Sequence, residues 1–129
     1  MKIILASKSG VRKDILKKND ILCEVVPSNV NEDEVKNSLI SEGASPLLIS
    51  KNLAELKANK VSSKKPDQLV LGADSVIDLE SELISKPTNR DEALKILKKL
   101  NGKRHQLISS VCISKNLSLI HISEPTRPY

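Results

Sequence analysis

The feature that most constrains this chain is the way its first apolar run ends. Ile3-Ile4-Leu5-Ala6 shows no alternation of apolar and polar residues, the pattern of a strand buried on both faces of a sheet. It breaks into Ser7-Lys8-Ser9-Gly10-Val11-Arg12, and from Arg12 to Asn19 Ile15 and Leu16 supply the apolar face of a helix. Asn19-Asp20 is a stop signal, and Ile21 to Val26 reads as a second strand closed by Pro27. Strand, helix and strand in this order make a βαβ unit with parallel pairing, and hence an α/β fold.

The rest of the chain continues that alternation. Asn31 with Glu34 fits an N-cap followed by an acid in the first turn, and Ser45 before Pro46 opens a longer helix carrying Leu47, Leu48, Leu53, Leu56 and Val61. Gln68 to Gly72 is the most apolar strand and is expected to be central. Ser75–Leu79 and Leu83-Ile84 flank Glu80-Ser81 like a small hairpin. Thr88 or Asn89 caps a periodic helix with Ala93, Leu94, Ile96, Leu97 and Leu100, ended by Asn101-Gly102, and Gln106 to Ser114 reads as a strand. Leu117 to Ile122 begins a partner strand, whereas Ser123 to Tyr129, with two prolines, reads as irregular.

Composition narrows the function classes. The 129 residues suffice for one domain, and the sole aromatic side chain is Tyr129, so the core has to be aliphatic. The 21 basic against 16 acidic residues give a net charge of +5, which fits either lysine-rich solvated helix faces or a polyanionic partner. Without stacking aromatics, stable binding of single-stranded nucleic acid is not expected. Cys23 and Cys112 have no metal-ligand spacing and read as small core residues of a protein in a reducing cytoplasm. No signal peptide or membrane span is expected.

Two segments carry candidate chemistry. Ser7, Ser9 and Arg12, with Lys8 and Lys13, put hydroxyls and cations at a helix start, where free N–H groups and the helix dipole favour an anion. The alternative is a plain serine N-cap; the segment matches neither a Walker loop nor a dinucleotide fingerprint. Asp74, at the end of Leu69-Val70-Leu71-Gly72-Ala73-Asp74, is either a turn residue or an acid at the carboxyl edge of the sheet, able to hold a divalent cation or take a proton from attacking water. Lys57 and Lys86 are phosphate clamps or solvated lysines, and Glu32 is a metal-binding acid or part of a solvated helix start. His105 and His121 lack metal-ligand spacing and read as exposed or strand-end histidines.

In order and approximate spacing, Leu5-Ala6-Ser7-Lys8-Ser9 with Arg12, Leu53-Ala54 with Lys57-Ala58, Leu71-Gly72-Ala73-Asp74-Ser75, Lys86-Pro87 and Leu100-Asn101-Gly102-Lys103-Arg104-His105 resemble the Maf family. The resemblance implies a cytoplasmic nucleoside triphosphate pyrophosphatase that splits an NTP, standard or modified, into NMP and pyrophosphate with Mg²⁺ or Mn²⁺. It implies a mixed central sheet flanked by helices, Maf/ITPase-like, with a cleft between two lobes. Carried over by position, Asp74 matches the proton acceptor and a metal ligand. Ser7, Ser9, Arg12, Lys57 and Lys86 match substrate and phosphate contacts, and Glu32 matches an acid near the cleft and metal. Val11 stands where the family usually has Arg or Trp, and Ser75 replaces a Thr typical of members acting on dTTP and UTP. These two are therefore the expected specificity positions, and a general nucleotide pyrophosphatase is expected. Whether the chain forms a homodimer is left open.

The family-like sequence fades by about Lys115. Residues 1–115 are expected to form the N-terminal part of the family fold, with the second lobe incomplete, and 116–129 an irregular tail foreign to it. The alternative from another class is an inactive fragment that binds nucleotide or another anion without turnover.

Overall fold

The computed structural model describes residues 2–7, 10–79, 82–84, 89–116 and 118–128. Along the chain these form β1 (Lys2–Leu5), α1 (Gly10–Lys18), β2 (Leu22–Val25), α2 (Glu32–Ser41), α3 (Pro46–Ser62), β3 (Leu69–Leu79), β4 (Glu82–Ile84), α4 (Arg90–Leu100), β5 (His105–Lys115) and β6 (Ser118–Pro128). The strands make one mixed sheet in the order β2-β1-β3-β5-β6, with β4 on the far part of β3. β1 runs parallel to both β2 and β3, as the βαβ reading requires, and β3, β5 and β6 are successively antiparallel.

Helix boundaries follow the local chemistry. The side chains of Asn31, Ser45 and Asn89 accept from the backbone N–H of Glu34, Leu48 and Glu92 and so cap α2, α3 and α4. α1 ends where Asp20 takes a positive φ of 58° and Ile21 N–H returns to Leu16 O at 3.0 Å.

The core lies between α3 and one face of the sheet. Ala54, Ala58 and Val61 of α3 pack on Ile4 of β1, Val70 of β3 and Cys112 of β5, with Ala6 beside them and Val26 and Leu119 at the margin. The aliphatic core expected from the missing aromatics is what forms. Cys112 is fully buried, and burial pushes its thiol up to about 11, so it is an inert packing group.

Two expectations are corrected. The strand holding Asp74 does not stop at Gly72, nor does a separate strand begin at Ser75. β3 is continuous from Leu69 to Leu79, because β5 pairs with it from Val70 to Leu79 without a break. The partner strand expected to begin near Leu117 also runs further than expected, through the segment from Ser123 that reads as irregular. Ser118–Pro128 pairs along β5, with Pro125 opposite Ile108 and Pro128 opposite Gln106. Prolines cannot donate to a ladder, but β6 is the edge of the sheet and needs pairing on one side alone. Among the described residues no helix is long and apolar enough to cross a membrane.

Candidate active site

The site is set by how closely α3 lies on β3. A Cβ at Gly72 would stand 2.8 Å from Ala58 N and 2.9 Å from Ala58 Cβ, with the carbonyl oxygen of Ala54 nearer still. The position is open to glycine alone while the helix keeps that place. Lys57 sits between these two alanines, so the close approach presses it onto the strand. Its Nζ donates to Ala73 O at 3.4 Å and to Asp74 Oδ1 at 3.4 Å, and forms an ion pair with Glu32 Oε1. Ser50, two turns earlier on α3, donates to the carbonyl of Asp74 at 3.2 Å and fixes the strand there.

Asp74 is only 6% exposed, and its Oδ2 has no hydrogen-bond partner among the described residues. A buried carboxylate oxygen without a donor is costly, and such an atom points to a missing proton, cation or ligand donor. Burial raises the Asp74 carboxyl above its ordinary value of 3.8, and the negative Glu32 pushes the same way. The positive Lys57 and Lys36 pull against it without reversing the shift.

The other candidate cluster starts where β1 ends. Ala6 N–H bonds Leu71 O at 2.9 Å, which sets Ser7 beside β3 just before Asp74. With Leu5 paired to Leu71, Ser7 continues to the level of Ala73, so Asp74 lies one residue, about 3 Å at the strand rise, further along on the carboxyl side of the parallel pair. Ser7 is buried, and Arg12, one turn into α1, donates from Nη1 to Ser7 Oγ at 3.1 Å.

The carboxylates can be tested against a metal ion. Among the described residues no three His, Cys, Asp or Glu side chains converge on one point. Two carboxylates do converge, Asp74 and Glu32, through their shared contact with Lys57. A hard divalent cation such as Mg²⁺ is commonly held by one or two carboxylates, with phosphate oxygens and water completing the shell. Together with the orphan Oδ2, this donor set fits such an ion but not a dedicated protein cage.

Of the residues singled out in the sequence, the structure joins Asp74, Lys57 and Glu32 in one cluster and Ser7 with Arg12 in another at the adjacent strand end. Ser75 points to the opposite face of the sheet, where its Oγ lies 3.0 Å from Ser109 Oγ. Ser9 and Lys86 lie outside the described residues; Val11 belongs to α1, but its side chain is outside the description. Asp74 is no strand-end turn residue: it is mid-strand in β3, beyond the end of β1. Sequence reasoning missed Ser50 and Lys36. Lys36 had a signal, its i,i+4 spacing from Glu32 on α2; Ser50 had none, because its partner is a backbone carbonyl on a distant strand.

Comparison with known proteins bears on the family and the fold. A family model described as Maf-like protein matches residues 2–127. A curated nucleoside triphosphate pyrophosphatase of Pelagibacter ubique is 67% identical over 118 residues, covering 92% of this chain and 60% of the relative. A dTTP/UTP pyrophosphatase of Thermosipho africanus is 42% identical over 126 residues, covering 98% and 61%. This chain thus spans about three fifths of the length of such relatives. Among solved structures, a nucleoside-triphosphatase / dITP/XTP pyrophosphatase from Mycobacterium abscessus superposes with a TM-score of 0.58 at 12% identity, over 97% of this chain and 70% of that one, which speaks to the fold alone. By the extent of the family match, this chain belongs to the Maf-like proteins.

Proposed function

We propose that this chain carries the catalytic half of a nucleoside triphosphate pyrophosphatase, which hydrolyses an NTP between its α- and β-phosphates to NMP and pyrophosphate. The observation that carries the reading is Asp74: a carboxylate buried at the carboxyl edge of the parallel strands, with one oxygen on Lys57 and the other without a hydrogen-bond partner among the described residues. Relatives named as nucleoside triphosphate pyrophosphatases support it.

In this reading Asp74 takes the proton from the water that attacks the α-phosphorus. Its carboxyl, raised by burial, is a better base near neutral pH than an ordinary aspartate. Arg12 and Ser7 hold phosphate oxygens at the N-terminal end of α1, where the helix dipole adds to the guanidinium charge. Lys57, with Lys86, neutralises charge that builds on the departing pyrophosphate. Asp74 and Glu32 would hold Mg²⁺ or Mn²⁺, which when bound polarises the phosphate and acidifies water. Ser9 joins the phosphate contacts, and Val11 bears on the choice of base; the same role expected of Ser75 would have to be exercised from the opposite face of β3, where it meets Ser109. The rest of the proposed assignment is a cytoplasmic protein with no membrane or stable nucleic-acid partner. Every residue of the proposed site falls within 1–115, so nothing in it draws on residues 116–129.

The test is release of pyrophosphate from a panel of NTPs with Mg²⁺ or Mn²⁺. Asp74→Asn is expected to lower turnover by at least about 100-fold, the range for loss of a general base. Full activity in that variant would sink the proposal. Nucleotide-dependent thermal stabilisation of the unaltered chain without turnover would favour the binding-only reading.

A further inference from the structure

The ammonium of Lys57 has three N–H donors and, among the described residues, three acceptors: Glu32 Oε1, Asp74 Oδ1 and Ala73 O. It is 8% exposed, so water does not readily replace any of them. As placed, the Lys57 ammonium is turned to these three protein acceptors, two of them at the long distance of 3.4 Å, although the proposed function asks it to contact a phosphate. It also sits on both carboxylates proposed to hold the divalent ion.

We infer that Lys57 is a built-in counter-cation: in the nucleotide-free protein it closes the Glu32–Asp74 pair against a divalent ion, and it releases the carboxylates only when a substrate phosphate takes over its donors. The inference rests on reading Asp74 and Glu32 as the metal-binding carboxylates. Two like charges with no cation between them repel inside a low-dielectric pocket, and Lys57 relieves that repulsion when no ion is bound. The same positive charge opposes a second cation at that point. Nucleotide brings new anionic acceptors for the Lys57 ammonium and oxygens for the ion in one event. Metal and nucleotide therefore bind together more tightly than either does alone, a coupling that is reciprocal.

The probe is Mn²⁺ alone, titrated into the 129-residue chain at about pH 8, above the ordinary carboxylate range, and followed by loss of the free-ion EPR signal. Lys57→Gln and Lys57→Met, each checked for fold by circular dichroism, are expected to bind Mn²⁺ at least about tenfold more tightly than the unaltered chain, since a charge next to both ligands is removed. An α,β-methylene nucleoside triphosphate is expected to tighten Mn²⁺ binding about tenfold or more in the unaltered chain and much less in the variants. Equal or weaker Mn²⁺ binding by the variants, with Asp74→Asn abolishing binding in all, overturns the inference and leaves the metal reading standing. Absence of Mn²⁺ binding with or without the analogue overturns both. Should neither variant fold, the side-chain ¹⁵Nζ signal of Lys57 in the unaltered chain decides. It is expected to stay put with Mg²⁺ alone and to shift with Mg²⁺ plus the analogue; an equal shift with Mg²⁺ alone overturns the inference.

Discussion

α3 and α4 begin alike and end in opposite environments. Each opens on a side chain that caps its first turn, Ser45 on Leu48 N–H and Asn89 on Glu92 N–H. α4 has the cleaner amphipathic spacing, with Leu94 and Leu97 on one stripe, yet it buries no residue, and these leucines are 49% and 63% exposed. α3 has the less regular pattern and buries Ile49, Leu53, Ala54, Lys57, Ala58 and Val61. Periodicity says that a helix has a face; it does not say that a surface waits for it. What α3 has and α4 lacks is a notch in the sheet at Gly72, where small residues let two backbones meet.

The largest expected effect tests that notch. Gly72→Val should cost more than about 3 kcal/mol in chemical denaturation, above ordinary overpacking, because the obstructing atoms are helix backbone. It should also remove Lys57 from Asp74 and so abolish the proposed turnover. Near-native stability in this variant would break the account of why α3 holds the site.

A matched pair of truncations compares the helices directly. Leu53→Ala, at a fully buried position, should cost about 3 kcal/mol, whereas Leu97→Ala on α4 should stay within about 0.5 kcal/mol. Similar losses from the two would mean that α4 is covered in solution.

The third effect has the opposite sign. Asp74 has a raised carboxyl, so folding favours its protonated form. That preference stabilises the protein fully below the ordinary value of 3.8 and is lost as pH rises through the raised value. At neutral pH the buried charge is a burden, and Asp74→Asn should stabilise the fold by about 1 kcal/mol while removing the proposed activity, the trade expected at a functional site. The gain in Tm over the unaltered chain should shrink as pH falls toward the ordinary aspartate range. A variant that is destabilised at neutral pH would show that the Lys57 ion pair outweighs desolvation.

What the sequence made legible divides along the same line. Caps, strand β1 and the βαβ order are local, written in side chains that act within a few residues. Asp74 stood out because an acid after Leu69-Val70-Leu71-Gly72-Ala73 is chemically odd. Lys57 and Glu32 were individually indistinguishable from solvated charges, and only the family resemblance lifted them. Their convergence depends on α3 docking over Gly72, a long-range register that no local pattern encodes. The continuity of β3 through Ala73 and the pairing of β6 are likewise decided by β5, a partner many residues away.

The smallest effect separates local helix formation from tertiary support. Removing a cap leaves one backbone N–H without its acceptor and costs about 1 kcal/mol of helix stability in either helix. In α3 that cost falls on the global transition, because the core cannot form without the helix: Ser45→Ala should lower the whole-protein unfolding free energy by about 1 kcal/mol. In α4 the first turn is solvent-exposed and packs no buried residue, so the loss of the cap ends in local fraying. Asn89→Ala should therefore leave the global midpoint unmoved and speed amide exchange at Arg90 to Ala93 alone. A drop in the midpoint equal to that of Ser45→Ala would show that α4 belongs to the same cooperative unit as α3, despite its exposed leucines.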